Sequence, residues 1–169
     1  MPATDLIGKK LPRATIVVER GPVARFAEAV LAKSPVYSSA TAAAEAGFPA
    51  VPVPPTFTFI AGYWGSLAEL QPAAEPDAQD TANLGELLAD LRKDGGLLLH
   101  GEQEFRYHKP VFVGMTLHSS GVVENISVKE GKGGATMTAV NVRTDLVDDD
   151  GEPVVTQIMT FLLRKTPKA

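Results

Sequence analysis

The side chains that could carry chemistry are few and widely spaced. Histidine occurs at His100, His108 and His118, and cysteine is absent. Without a thiol there is no cysteine nucleophile, no iron–sulfur cluster and no Cys-based zinc site, and three separated histidines do not compose a metal centre. What remains is hydrogen bonding and proton transfer. His100 follows Leu97-Leu98-Leu99 into a predicted strand; it either reaches a ligand or is a hydrogen-bonded histidine on a sheet. Tyr37 either donates a hydrogen bond in a pocket or packs behind Pro35, and a phenol with its usual pKa near ~10 is a poor general base at neutral pH. Thr56 opens an apolar segment. The first helical turn there leaves backbone N–H groups suited to a carbonyl or anionic oxygen, and Thr56 is also a plain N-cap. Pro54 and Pro55 have no N–H, so Thr56 and Phe57 must supply any donor. Phe57, Tyr63 and Trp64 either line an apolar channel or belong to the core. His108, beside Lys109-Pro110, reads as surface or interface, and His118 as part of a solvated strand face.

These residues need elements to hold them. Thr15-Ile16-Val17-Val18 lies between charged ends, so 13–20 reads as a strand. Gly21-Pro22 then opens a helix whose buried face is Val23, Phe26, Ala27, Val30 and Leu31, ended by Ser34-Pro35. A short helix at about 40–46 has Ser38-Ser39 as caps and Gly47 as terminator. The proline-rich stretch 48–56 is an extended connection. From Phe57 to Leu70 apolar residues surround the helical wheel, which predicts a buried central helix. The acidic stretch 71–83 reads as a solvated loop. Leu84, Leu87, Leu88 and Leu91 mark one more amphipathic helix, closed by Gly95-Gly96. Strands are expected over 97–109, 115–130, 134–147 and 153–165, the last apolar on both faces, which points to a dimer or larger assembly covering the sheet. The expected class is α+β: one domain over 1–169 with an antiparallel sheet wrapped round a long central helix. The loop and helix at about 71–96 read as a lid or a tolerated surface excursion.

Composition narrows the function. At 169 residues, with 44% hydrophobic and 21% charged residues, the chain can bury one ordinary core without disulfide or metal. A formal net charge of −4 with scattered Lys and Arg argues against a nucleic-acid partner. Residues 1–10 lack the apolar core of a signal peptide, and no apolar run approaches the ~20 residues of a membrane span, so a cytoplasmic location is expected.

Phe26-Ala27-Glu28-Ala29-Val30 leading to Ser34-Pro35-Val36-Tyr37, then Ala44-Glu45-Ala46-Gly47-Phe48-Pro49 and Pro54-Pro55-Thr56-Phe57, resembles the N-terminal domain of the MaoC-like hydratase/dehydratase family. So do His100-Gly101-Glu102-Gln103-Glu104-Phe105-Arg106-Tyr107-His108-Lys109-Pro110 and the Asp-Gly-Glu-Pro-Val-Val turn into the last strand. The resemblance implies a hot-dog fold, a substrate carried as a CoA or acyl-carrier-protein thioester with no further cofactor, and reversible hydration of a trans-2-enoyl group to the (R)-3-hydroxyacyl form. Active members of that family use an Asp-x-Asn-Pro-x-His pattern. Laid on Asn-Pro-x-His, Ser34-Pro35-Val36-Tyr37 puts Tyr37 in the His position and Ala32 in the Asp position, and no Asp or His lies between Glu28 and Glu45. The chain thus resembles the non-catalytic subunit of mycobacterial dehydratase heterodimers, which hold the acyl chain for a homologous partner carrying Asp and His. Two other readings stand beside it: a self-sufficient homodimeric hydratase using Tyr37 or His100, and an acyl-thioester binding protein without turnover. The substrate-contacting residues expected are Tyr37, Thr56, Phe57, Tyr63 and His100.

Overall fold

In the computed structural model, residues 3–73, 81, 83–93 and 95–166 are described. The elements are β1 (Lys10–Val17), α1 (Arg20–Ala29), α2 (Ala40–Glu45), α3 (Phe57–Gly65), α4 (Leu84–Arg92), β2 (Leu97–Tyr107), β3 (Thr116–Glu130), β4 (Thr136–Val147) and β5 (Pro153–Lys165). The strands form one sheet in the order β1-β3-β4-β5-β2, with every neighbouring pair antiparallel.

Alternation fixes which face is covered. On β4, Val140, Val142 and Leu146 are buried while Asn141, Arg143 and Asp145 lie on the opposite face. The β4–β5 turn is built by Asp148, whose carboxylate accepts the N–H groups of Asp150 (3.2 Å) and Glu152 (2.9 Å), with Gly151 at φ 80°. α3 lies across the covered face, and Phe57 and Ala61 pack with Ile16, Val18, Leu117, Leu146 and Val155. Gly65 lets the helix close on β1, since a Cβ there would stand 2.2 Å from the Val17 carbonyl oxygen.

The central helix is shorter than the sequence predicts. It ends at Gly65 instead of running to Leu70, and a separate 3-10 turn covers Ala68–Leu70. Gln71 explains the break. Its side chain donates to the Leu67 carbonyl (2.7 Å), the group that a continued helix would give to the Gln71 N–H, and also to the Thr15 carbonyl (2.9 Å). Its Oε1 accepts the Thr15 N–H at 3.1 Å. The amide thus satisfies an outward-facing peptide of edge strand β1, a gain that a longer helix would forgo. The helix is not buried all round either: Tyr63 is 81% exposed and Trp64 half-exposed.

α1 also stops early. Leu31 and Ala32 donate to the carbonyls of Glu28 (3.1 Å) and Ala27 (2.9 Å), a Schellman closure with Leu31 at φ 55°. Val30 and Leu31, expected on the buried face, are therefore exposed. β1 begins and ends three residues before the strand expected at 13–20, with a bulge between Leu11 and Ala14 that accommodates Pro12. α4 packs on the sheet: Leu87 is buried against Val123, Ile126, Val140 and Val142, a second hydrophobic core. Most of the loop before it lies outside the described residues. No helix among the described residues is long and apolar enough to cross a membrane. An antiparallel sheet curled round one helix is the hot-dog arrangement.

Candidate ligand-binding site

A cavity of about 340 Å3 opens at the N-terminus of α3, between the proline-rich connection and the chain that leaves β2. The prolines make its wall. They cannot join a helix, so the connection runs extended and pairs with the opposite wall through Val53 N–H to Val111 O (3.0 Å) and Val113 N–H to Val51 O (2.9 Å). Polar groups converge at one end. Thr56 takes φ 71° and ψ −7°, a left-handed conformation that is costly for a β-branched residue. Its N–H is given to the Tyr107 hydroxyl at 3.0 Å, and the Phe57 N–H to the Pro54 carbonyl at 3.1 Å.

At the mouth, Lys109 Nζ donates to Asp148 Oδ2 at 2.6 Å, and this bond holds the Asp148 carboxyl below its ordinary pKa. His108 Nε2 lies 3.1 Å from Thr156 Oγ1. Neither group is loose: one is tied to the β4–β5 turn and the other to β5.

Thr58, the second residue of α3, borders this cavity and a smaller one of about 140 Å3 between α3 and the sheet. It is 4% exposed, and its Oγ1 has no hydrogen-bond partner. From β5, buried Gln157 reaches up and donates to the Thr58 carbonyl at 3.3 Å.

Among the residues expected at the site, Thr56 lines the larger cavity. Phe57 is core, meeting Phe26 edge-to-face at a centroid distance of 5.6 Å. Tyr63 projects from the open side of α3. His100 sits on exposed β2 between Phe59 (5.4 Å) and Phe161 (5.7 Å), with Nε2 3.1 Å from the Glu102 carbonyl oxygen. Tyr37 ends the 3-10 turn Pro35–Tyr37 and is half-buried. Tyr37, Tyr63 and His100 border neither cavity. His118, expected on a solvated face, is half-buried and bridges Asp149 (2.9 Å) to the Thr15 hydroxyl (3.3 Å).

Sequence reasoning passed over Tyr107, Lys109, Thr58 and Gln157. Gln157 carried a signal, since an amide amid Val154-Val155 and Ile158-Met159 is a polar group on a buried strand. Chemically the larger cavity offers apolar walls, hydroxyls, the His108 imidazole and one neutralised cation, with no carboxylate in its lining. It can hold and orient a ligand, and its lining pairs no carboxylate with the His108 imidazole. Among the described residues, no three His, Cys, Asp or Glu cluster to hold a metal ion.

Comparisons with known proteins agree with this architecture. The family model of the FAS1-like, dehydratase domain region matches residues 5–157. A UPF0336 protein of Saccharopolyspora erythraea is 30% identical over 163 residues, covering 96% of this chain and 91% of the relative. A UPF0336 protein of Streptomyces avermitilis is 33% identical over 147 residues, 87% and 84% of the two chains. Among solved structures, the C-terminally truncated HadBC (3R-hydroxyacyl-ACP dehydratase) complex of Mycobacterium tuberculosis superposes with a TM-score of 0.62 at 27% identity, over 95% of this chain and 98% of that one. The ChsH1-ChsH2 complex of the same organism gives a TM-score of 0.68 at 19% identity, over 95% and 86%, a likeness of fold.

Proposed function

The chain belongs to the FAS1-like dehydratase-domain family, and from that premise we propose that it is a subunit of an (R)-specific enoyl-thioester hydratase, equally a 3-hydroxyacyl-thioester dehydratase, that holds the acyl chain while a homologous partner supplies the Asp/His pair. The observation that carries this reading is the cavity at the N-terminus of α3, apolar-walled and without a carboxylate in its lining. Adding water to an enoyl thioester requires a group to deprotonate the water and another to protonate C2. Ala32 and Tyr37, in the family's Asp and His positions, supply neither.

The surface favours a partner. β2 is a sheet edge with unpaired backbone groups, and exposed Leu97 and Leu99 on it, with Tyr63 on α3, are apolar area that a second subunit would cover. The substrate brings its own carrier, CoA or acyl-carrier protein, so the role needs no resident cofactor, and it suits a cytoplasmic protein.

The test is hydration of crotonyl-CoA and of a longer trans-2-enoyl-CoA, followed at the enoyl-thioester absorbance. The purified chain alone is expected to bind the thioester without turning it over. Activity should appear with a homologous subunit that carries Asp and His and that co-purifies in equal amount with the tagged chain. Clear turnover by the chain alone would overturn the proposal.

A further inference from the structure

His108 stands at the cavity mouth in a hydrogen-bonded chain that decides which of its nitrogens can meet a ligand. Its Nε2 lies 3.1 Å from Thr156 Oγ1, and that hydroxyl donates to Asp145 Oδ1 at 2.9 Å. A carboxylate only accepts, and a threonine hydroxyl has a single hydrogen to give. Thr156 spends it on Asp145, so His108 Nε2 is the N–H and donates to Thr156. The neutral imidazole then keeps its lone pair on Nδ1, which has no partner among the described residues. Thr156 pairs with Asp145 on the outer face of the sheet and neither lines the cavity, whereas His108 is exposed and does. The chain thus sets a hydrogen-bond acceptor at the mouth.

The surrounding charge decides what kind of donor suits it. Lys109 is already bound to Asp148, and the turn that supplies Asp148 also carries Asp149, Asp150 and Glu152. Such a turn repels an anion such as a phosphate. A neutral N–H meets neither that repulsion nor the cost of desolvating a charge. For a thioester whose acyl group lies between the apolar walls, the part that passes the mouth is the pantetheine arm, and its amides are neutral donors.

We propose that His108 Nδ1 accepts a hydrogen bond from an amide N–H of the pantetheine arm, the part common to CoA and acyl-carrier-protein thioesters. His108 is then a substrate-binding residue, and Thr156 a positioning residue that fixes the imidazole tautomer. The inference rests on the acyl-thioester reading above.

Calorimetric titration of the full chain, together with any homologue that co-purifies, tests it with hexanoyl-CoA and two analogues in which one or the other amide N–H of the arm is replaced by an ester oxygen. One analogue should bind about threefold to tenfold more weakly than hexanoyl-CoA, the worth of one hydrogen bond. His108→Phe should bind all three alike, and His108→Asn, whose amide oxygen can stand near the place of Nδ1, should recover the preference. Nitrogen-15 NMR of the imidazole should find the Nε2–H tautomer in the parent and a mixture in Thr156→Val, with the preference weakened to match. The same titration with a hexanoyl-loaded acyl-carrier protein separates the two carriers, since the loss in His108→Phe should appear with whichever binds the parent more tightly. Equal affinity across the three compounds, a preference that survives His108→Phe, or an Nδ1–H tautomer in the parent would overturn the inference while leaving the acyl-holding role standing. Failure of every thioester to bind, with or without the homologue, would remove both.

Discussion

The Tyr107 hydroxyl accepts the Thr56 N–H at 3.0 Å, so a side chain from the edge strand occupies the donor that the start of α3 would otherwise offer to a ligand. Tyr107 is half-exposed and stacks on Phe105 at 5.9 Å, which sets its ring direction. A carbonyl oxygen entering the cavity competes with that phenol.

Tyr107→Phe removes the competitor and keeps the ring. It should cost about 0.5–1.5 kcal/mol of stability, the worth of one ordinary hydrogen bond. Thioester affinity should rise severalfold as the Thr56 N–H is freed. Chemical denaturation and a thioester titration check the two effects, and unchanged or weaker affinity would show that the ligand does not use this donor.

Among the described residues, two non-glycine residues adopt positive φ, Leu31 at 55° and Thr56 at 71°. Left-handed backbone costs an L-residue about 1–2 kcal/mol, and neither side chain is buried. Leu31→Gly and Thr56→Gly should each raise the denaturant midpoint by up to about 1 kcal/mol equivalent, offset partly by the entropy of an unfolded glycine. A fall in the midpoint for Thr56→Gly would mean that its side chain stabilises the turn.

Gly65→Ala should be the most damaging small change in the helix. The added carbon would stand 2.2 Å from the Val17 carbonyl oxygen and 3.0 Å from Ile16 Cγ2. Backbone cannot yield as a side-chain tip does, so a loss of roughly 1–3 kcal/mol is expected from overpacking. A melting temperature within error of the parent would show that α3 shifts freely on β1.

The Lys109–Asp148 bond gives the cavity mouth a pH dependence. Because the folded carboxyl lies below its ordinary pKa, the pair stabilises the fold above the unfolded value of about 4 and is lost as pH falls through the lower folded value. Asp148→Asn should therefore melt earlier than the parent at neutral pH, with the gap closing under strongly acidic conditions. A gap constant down to acid pH would show that the ionised Asp148 carboxylate does not carry the loss.

Much of the scaffold was legible because local patterns encode it. Alternation of buried and solvent-facing residues on the late strands and the leucine spacing of α4 repeat along the chain, so each element announces itself. The glycine and aspartate turns were readable too, since the backbone angles they require suit few other residues. The early part read less well at its ends. α1 and α3 both stop short of their apolar patterns, one by Leu31 turning left-handed and the other because the Gln71 amide pairs with Thr15. Those are choices between competing partners, and a partner 56 residues away has no local signature.

For function, the chain's own letters determined the fold class, the family resemblance, and the absence of an Asp/His pair between Glu28 and Glu45. Tertiary structure alone decided that Thr56, Tyr107 and Lys109, from the proline-rich connection and the end of β2, share one cavity, and that Thr58 meets Gln157 across the core. A binding site is a coincidence in space of residues far apart in sequence. Periodicity reports which face of an element is buried; only the packing of α3 on the sheet fixes what each buried group faces.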